Sequence, residues 1–328
     1  MRYQQAFLLG QPDASDVRID PFLTNLSIGY RNPTYIADTM FPIVGVNERA
    51  GIVPQFDQSH WFRALASVRA PLTKSKGSGW TVDNTLKYFA ERFSRRYEYD
   101  DDTKAMTQQP YDLDRTGTEF VTDQMQLIRE VIFGTTLFTT GQWGSDKTGG
   151  VDFVQWNDYA NSDPLLDIST YNDEIEGRIG REGNTIAMGK QVWVKLKWHP
   201  SLIDTIKHVE RGQITVAIAQ SLFELDKFLI GRALFTTSPE GTPEASVVYQ
   251  RIWAKHVLLM FVAPSPSLVT PSAGYTFRWT QGQTGAAPQT IKRMRDEERE
   301  ANIIEGNSYF DMKKTAPRAA TFLSAAVI

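Results

Sequence analysis

The residues that could do chemistry in this chain are few, and their spacing is wrong for it. The four histidines, His60, His199, His208 and His256, form no H-E-x-x-H or comparable ligand pair, so zinc has no support. His199 stands before Pro200 at a helix start and His208 in the last turn of that helix, so both read as packing or capping groups. With no cysteine there is no thiolate nucleophile, no disulfide and no Cys-ligated metal centre. The stretch Gly183-Asn-Thr-Ile-Ala-Met-Gly189-Lys190-Gln191 hints at a phosphate loop. It places five residues between the glycines where four are needed, and Gln191 where Ser or Thr would hold magnesium. No Gly-x-Ser-x-Gly elbow marks a nucleophilic serine. Asp100-Asp101-Asp102 lacks the glycine and distal glutamate of a calcium loop. Paired carboxylates for glycoside hydrolysis are a spatial property, and 38 acidic residues supply such pairs by chance. The expectation is therefore no enzyme, no cofactor and no metal, with a carboxylate-pair hydrolase as the alternative of another class.

Composition narrows the rest. The chain has 328 residues, enough for one large or two ordinary domains, with 41% apolar and 22% charged residues, the mix of a globular protein. Its 35 basic and 38 acidic side chains leave a net charge of -3, unlike a general nucleic-acid binder. The longest apolar run, Val257 to Ala263, has strand length and cannot span a membrane. Residues 1–16 make a poor signal peptide, since the apolar patch is short and acids follow it. The expectation is a protein made and kept in a cytosol, or one that leaves it without secretion.

The elements that would position any site read as follows. Prolines recurring at 12, 21, 33, 42 and 54 forbid a long helix in the N-terminal arm that ends at residue 51, the last lying just beyond it, yet Phe22, Leu26, Tyr30, Tyr35 and Phe41 need burial. Such an arm straps either its own domain or a neighbouring subunit. Residues 52–100 read as a long β-hairpin with a mobile tip at Pro71–Gly79 and a returning arm rich in Trp, Tyr, Phe and Val. Twenty extended residues span roughly 65 Å, more than a compact body of this size covers. Charges of both signs line the ribbon, which serve either as a guarded solvated edge or as pairing groups between identical subunits. On the second reading the contact residues are Trp80, Phe89, Arg92, Phe93, Arg95, Arg96, Tyr97, Asp100, Asp101 and Asp102. An apolar stripe from Leu113 to Phe138 predicts one long helix over about 112–140. A second helix is expected over 165–180 and a buried strand at 184–189. Helices from 200 and over 214–224 follow, then strands at 227–235, 256–263 and 275–280, and short β-like pieces over 290–328. The class is α+β.

Several segments resemble the major capsid proteins of tailed bacteriophages. They are Leu23-Thr-Asn-Leu-Ser-Ile-Gly-Tyr30, Tyr35-Ile-Ala-Asp38, Phe41-Pro-Ile-Val44, Asn161-Ser-Asp-Pro-Leu-Leu-Asp-Ile168, Asn184-Thr-Ile-Ala-Met-Gly189 and Leu196-Lys-Trp-His-Pro200. The likeness lies in their ordered combination over most of the chain. It implies the Hong Kong 97-type fold: an N-arm at 1–51, an E-loop at 52–100, a P-domain at 101–183 and 290–328 around a spine helix, and an A-domain at 184–289. It further implies self-assembly as hexamers and pentamers into an icosahedral shell around double-stranded DNA, held without sequence-specific binding and without a membrane. Partners would include a portal and a decoration protein. Only about twenty residues precede the arm motif, so the expectation is a separate scaffolding protein. The chain would be located in the virion after assembly in the bacterial cytoplasm. An encapsulin-like cargo shell is the alternative within the fold. Lys74 and Lys76 are the candidates for E-loop isopeptide cross-links, which are not expected to form.

Overall fold

The longest element, Leu113–Thr136, starts where Asp112 turns its carboxylate onto the backbone N–H of Asp114 at 3.0 Å and of Arg115 at 3.4 Å. Its buried residues Val121, Met125, Arg129 and Phe133 follow the four-residue step of one helix face. The computed structural model describes residues 18–19, 35–53, 55–56, 62–77, 79, 82–106, 112–207, 214–265, 270–281 and 289–328. It divides into two units, the first Met1–Asn32, Glu91–Gln126 and Trp279–Phe310, the second Pro33–Ala90, Leu127–Arg278 and Asp311–Ile328.

In the first unit, strand Glu91–Asp100 runs antiparallel to the opening ten residues of strand Ala301–Lys314, in unbroken register from Ala301↔Asp100 to Phe310↔Glu91. Strand Thr290–Asp296 pairs the other edge of Ala301–Lys314, and Arg18–Ile19 pairs Thr290–Asp296 in turn. Tyr99, Val121, Ile291 and Ile304 form the core between this sheet and the first half of the long helix. Close approach requires two glycines here. A Cβ on Gly117 would strike the Tyr97 ring, and one on Gly306 would strike Val121.

In the second unit a five-stranded mixed sheet has the order Lys227–Gly231, Thr185–Gly189, Val257–Met260, Ala320–Ser324, Ser145–Thr148. The first two strands are parallel, with Lys227 opposite Thr185 and Gly231 opposite Gly189. All residues of Thr185–Gly189, Val257–Met260 and Ala320–Ser324 are buried, as expected of strands covered on both faces. Helix Pro164–Ile179 is capped by Asp163, which accepts from the N–H groups of Leu165 and Leu166, and stops at Gly180 with φ 68°. Helices Lys190–Leu196, Pro200–Ile206 and Val216–Leu222 are short, the last capped by Thr215.

Two expectations need correction, and one sheet draws on more of the chain than a single expected segment. The returning arm of the predicted 52–100 hairpin is broken into Val82–Asp83, Lys87–Phe89 and Glu91–Asp100. Only the first two pair back within the hairpin, with Gln55–Phe56 and Ala50–Ile52. Residues 91–100 leave the ribbon because a partner strand two hundred residues away offers them ten consecutive ladder positions. The region 290–328 holds a 14-residue strand rather than short pieces. The sheet built on 185–189 also takes strands from 145–148 and 320–324, outside the 184–289 segment. The long helix, the strand at 185–189 and the helices at 164 and 200 stand where the residue patterns put them, within a few residues.

Candidate assembly interface

Of the ten contact candidates, Trp80 lies outside the described residues. Phe89 is half exposed, its ring under the Arg49 guanidinium at 4.9 Å and its N–H donating to Asp311 Oδ2 at 2.9 Å. Arg92 donates to Asn307 Oδ1 at 2.8 Å and pairs Glu305 at 3.0 Å. Phe93 stacks on Phe310 with ring centroids 4.6 Å apart, a cross-strand pair of the sheet. Arg96 pairs Glu98, which also meets Arg299. Tyr97 packs against Phe120 and Tyr99 over Gly117. Asp100 accepts from the Thr103 N–H at 3.1 Å, and hydrogen bonds from the Thr103 hydroxyl and then its N–H hold the carboxyl below its usual value. Asp101 takes Arg295 bidentately at 2.7 and 3.1 Å and Asn302 Nδ2 at 2.8 Å. Arg95 and Asp102 are exposed. Most of these rings and charges are therefore partnered inside the first unit.

Among the described residues, one run of exposed apolar side chains lies instead on the hairpin towards its tip. Residues 62–77 are all exposed and without regular structure beyond a turn at Pro71–Leu72. Phe62 and Leu65 are more than half exposed, and Val68 and Leu72 wholly so. Four cations, Arg63, Arg69, Lys74 and Lys76, and no acid accompany them. Solvated chain of this kind loses conformational entropy when ordered, and burial against another surface is what offsets that cost. At its base the ribbon is ordered, since Tyr88 stacks on Phe277 at 4.9 Å within a cluster that includes Tyr275, Val44, Val46 and Val53.

Sequence reasoning missed the residues that tie down the start of the second unit. Glu130, 1% exposed, accepts the backbone N–H groups of Ile36 and of Ala37, the latter at 2.6 Å, and the indole N–H of Trp253 at 2.7 Å. Beside it Arg129 pairs Asp38 at 2.7 Å. Burial pushes the Glu130 carboxyl up to about 7, against three hydrogen bonds that lower it. The signal was present: Arg129 continues the apolar face after Val121 and Met125, where a charge must find a partner.

The one buried Ser–His contact among the described residues does not make a nucleophile. His199 Nδ1 accepts the Ser201 N–H at 3.2 Å, which leaves the proton on Nε2, 2.9 Å from Ser162 Oγ. Ser162 already donates to the Asp158 carbonyl at 2.6 Å, so the ring cannot act as its base. His199 is a helix cap, and burial keeps its pKa below the usual histidine value. No group of three or more His, Asp or Glu side chains among the described residues could hold a metal ion. No helix among them is long and apolar enough to cross a membrane.

No protein-family model matches the chain. Over 265 residues it is 26% identical to the major capsid protein of Burkholderia phage BcepMu, covering 79% of this chain and 83% of that one. The chain is a homologue of phage major capsid proteins. A second such protein, from Pseudomonas phage JBD67, is 26% identical over 273 residues, 81% of this chain and 83% of the relative. The fold matches a phage-related protein from Bordetella bronchiseptica with a TM-score of 0.73 at 21% identity, over 94% of this chain and 98% of that one. It also matches the capsid of cyanophage P-SCSP1u, with a TM-score of 0.56 at 11% identity over 97% and 93%. Both phage relatives support a structural role in a capsid shell. For a shell subunit, the surfaces that matter are those left unsatisfied in the single chain.

Proposed function

We propose that the chain is the subunit of an icosahedral tailed-phage head, assembling as hexamers and pentamers around double-stranded DNA. On this reading it has the Hong Kong 97-type layout: an N-arm at 1–51, an E-loop at 52–100, a P-domain at 101–183 and 290–328 on the helix Leu113–Thr136, and an A-domain at 184–289. The clamp between neighbours is then the hairpin up to Phe89, whose tip carries the free apolar surface, with Arg95 and Asp102 as further exposed groups. The strand 91–100 anchors that clamp to its own body.

The observation that carries the proposal is the exposed apolar and basic tip on an ordered base. Burying two of its large side chains on a neighbour, at ~1.5–3 kcal/mol each, supplies several kcal/mol per contact before ordering costs. A net charge near zero favours self-association and leaves the genome unclamped. The chain's role is non-catalytic. A separate scaffolding protein would direct closure in the bacterial cytoplasm, a portal would occupy one vertex, and a decoration protein would bind outside the virion shell.

The test is electron microscopy of the full chain expressed with its phage's scaffolding protein. Closed shells are expected from wild type, and none from a variant in which residues 62–77 become a short Gly-Ser linker that leaves the subunit folded. Stable shells from the shortened variant refute the clamp. A soluble monomer with saturable hydrolytic turnover refutes the shell, and a shell that retains a protein cargo in place of DNA marks an encapsulin-like compartment.

A further inference from the structure

The second unit carries two opposite clusters of charge at opposite ends of one pair of strands. Strands Thr185–Gly189 and Lys227–Gly231 are parallel and in register, so the residues just before both lie at one end and those just after both lie at the other. Glu182, Glu224 and Asp226 precede the strands, with Arg181 and Lys227 also exposed at that end, whereas Lys190 and Arg232 follow them. Five strand residues at ~3.3 Å each separate the two ends by roughly 16 Å.

At the first end a groove of about 380 Å³ runs along one face of the helix Pro164–Ile179. Asp173, Glu176, Glu182 and Glu224 line it, all exposed, and Leu165 and Leu222 add apolar contacts to a mainly polar lining. At the second end Lys190, Lys197, Arg232 and Arg251 gather. Burial, and then the charges of Arg232, Lys197 and Arg251, hold Lys190 below the usual lysine value. Arg251 sits opposite Leu234, two residues beyond Arg232. This end also presents apolar surface: Trp198 is half exposed beneath the Lys197 ammonium at 5.1 Å, and Val194 is 44% exposed. Among the described residues none of the eight charged side chains has an ion-pair partner.

One end is thus a concave, mainly acidic surface, and the other a basic surface with an exposed indole. We propose that copies of this chain associate head to tail, the Lys197–Trp198 end of one copy seating in the acidic groove of the next. Two different patches meeting in this way make a heterologous contact, which closes into a ring when the rotation per copy divides a full turn. The charge pairs set the direction of approach and suppress the head-to-head arrangement, where like charges would meet. The inference rests on the shell reading above and assigns residues to the contact within its rings.

Charge reversal tests it, with sedimentation and electron microscopy of the full chain as readouts and thermal melting as the check on folding. Glu176→Lys with Glu182→Lys, and separately Lys197→Glu with Arg232→Glu, are each expected to abolish rings and shells. The variant carrying all four reversals is expected to regain them. Glu176→Gln with Glu182→Gln removes attraction without adding repulsion, and serves if a reversed pair misfolds. It is expected to raise the protein concentration needed for assembly about tenfold and to weaken its salt dependence. Neutral or reversed pairs that assemble like wild type overturn the contact, as does a folded four-reversal variant that stays monomeric. A wild-type chain that forms no rings or shells even with the scaffolding protein overturns the shell reading itself, so the two failures are distinct.

Discussion

The indole N–H of Trp253 donates to Glu130 Oε2 at 2.7 Å, while the other oxygen of the same carboxylate holds the backbone of Ile36 and Ala37. One buried side chain thus joins the long helix, a loop 123 residues later and the chain entering the second unit. Around it Phe133 and Phe138 pack on the Trp253 ring at 5.5 and 4.8 Å.

This carboxyl makes subunit stability depend on pH in a defined direction. Its ordinary value of 4.5 rises to about 7 in the folded chain, chiefly through burial. Between those values the folded state binds the extra proton, so the stabilisation from this group is complete below about 4.5 and is lost as pH rises through 7. The span is worth on the order of 3 kcal/mol. Denaturant titrations from pH 4.5 to 8 are expected to show wild type losing stability with rising pH. Glu130→Gln should show a flatter profile on a lower baseline, because its amide nitrogen is a donor facing donors. Parallel profiles would show that Glu130 does not titrate in this range.

Gly117 is expected to resist substitution. An alanine Cβ there meets the Tyr97 ring and approaches Ile304, so Gly117→Ala should destabilise the first unit by ~1–3 kcal/mol despite its gain in helix propensity. Chemical denaturation measures this, and a stabilised variant would mean that Tyr97 moves aside at little cost.

Phe93 and Val68 should separate folding from assembly. The Phe93 ring stacks on Phe310 within the sheet, so Phe93→Ala is expected to lower subunit stability by about 2–3 kcal/mol. Val68 is wholly exposed, so Val68→Ser should stay within about 0.5 kcal/mol of wild type while reducing shell yield. The reverse pattern would place the clamp on strand 91–100 instead of the tip.

Mature particles boiled in detergent are expected to run as single 37.1 kDa chains. The chain has no cysteine to form a disulfide. A ladder of heavier bands that survives reductant would identify an isopeptide bond, and Lys74→Arg and Lys76→Arg would show which lysine makes it.

Local signals in the sequence determined the elements they can reach. The helical recurrence of apolar residues from Leu113 to Phe138, the turn ending at Asp163-Pro164 and the His199-Pro200 helix start all act within a turn or two, so they are legible in order along the chain. The absence of cysteine and of any catalytic spacing was equally plain, as was a turn-forming tip at Pro71–Gly79, whereas the exposed apolar run from residue 62 emerged only in the structure. Tertiary structure alone decided where strand 91–100 pairs. Its alternating aromatic and charged residues suit a projecting ribbon or a sheet equally, and the choice fell to Ala301–Phe310, whose ladder satisfies ten consecutive positions. The same holds for Glu130, whose three donors come from residues about 93 and 123 positions away. It holds too for the two charged ends of the second unit, which the parallel register of Thr185–Gly189 and Lys227–Gly231 brings together. Strand pairing and buried hydrogen bonds join residues with no periodic relation along the chain, so only the folded backbone selects among their partners.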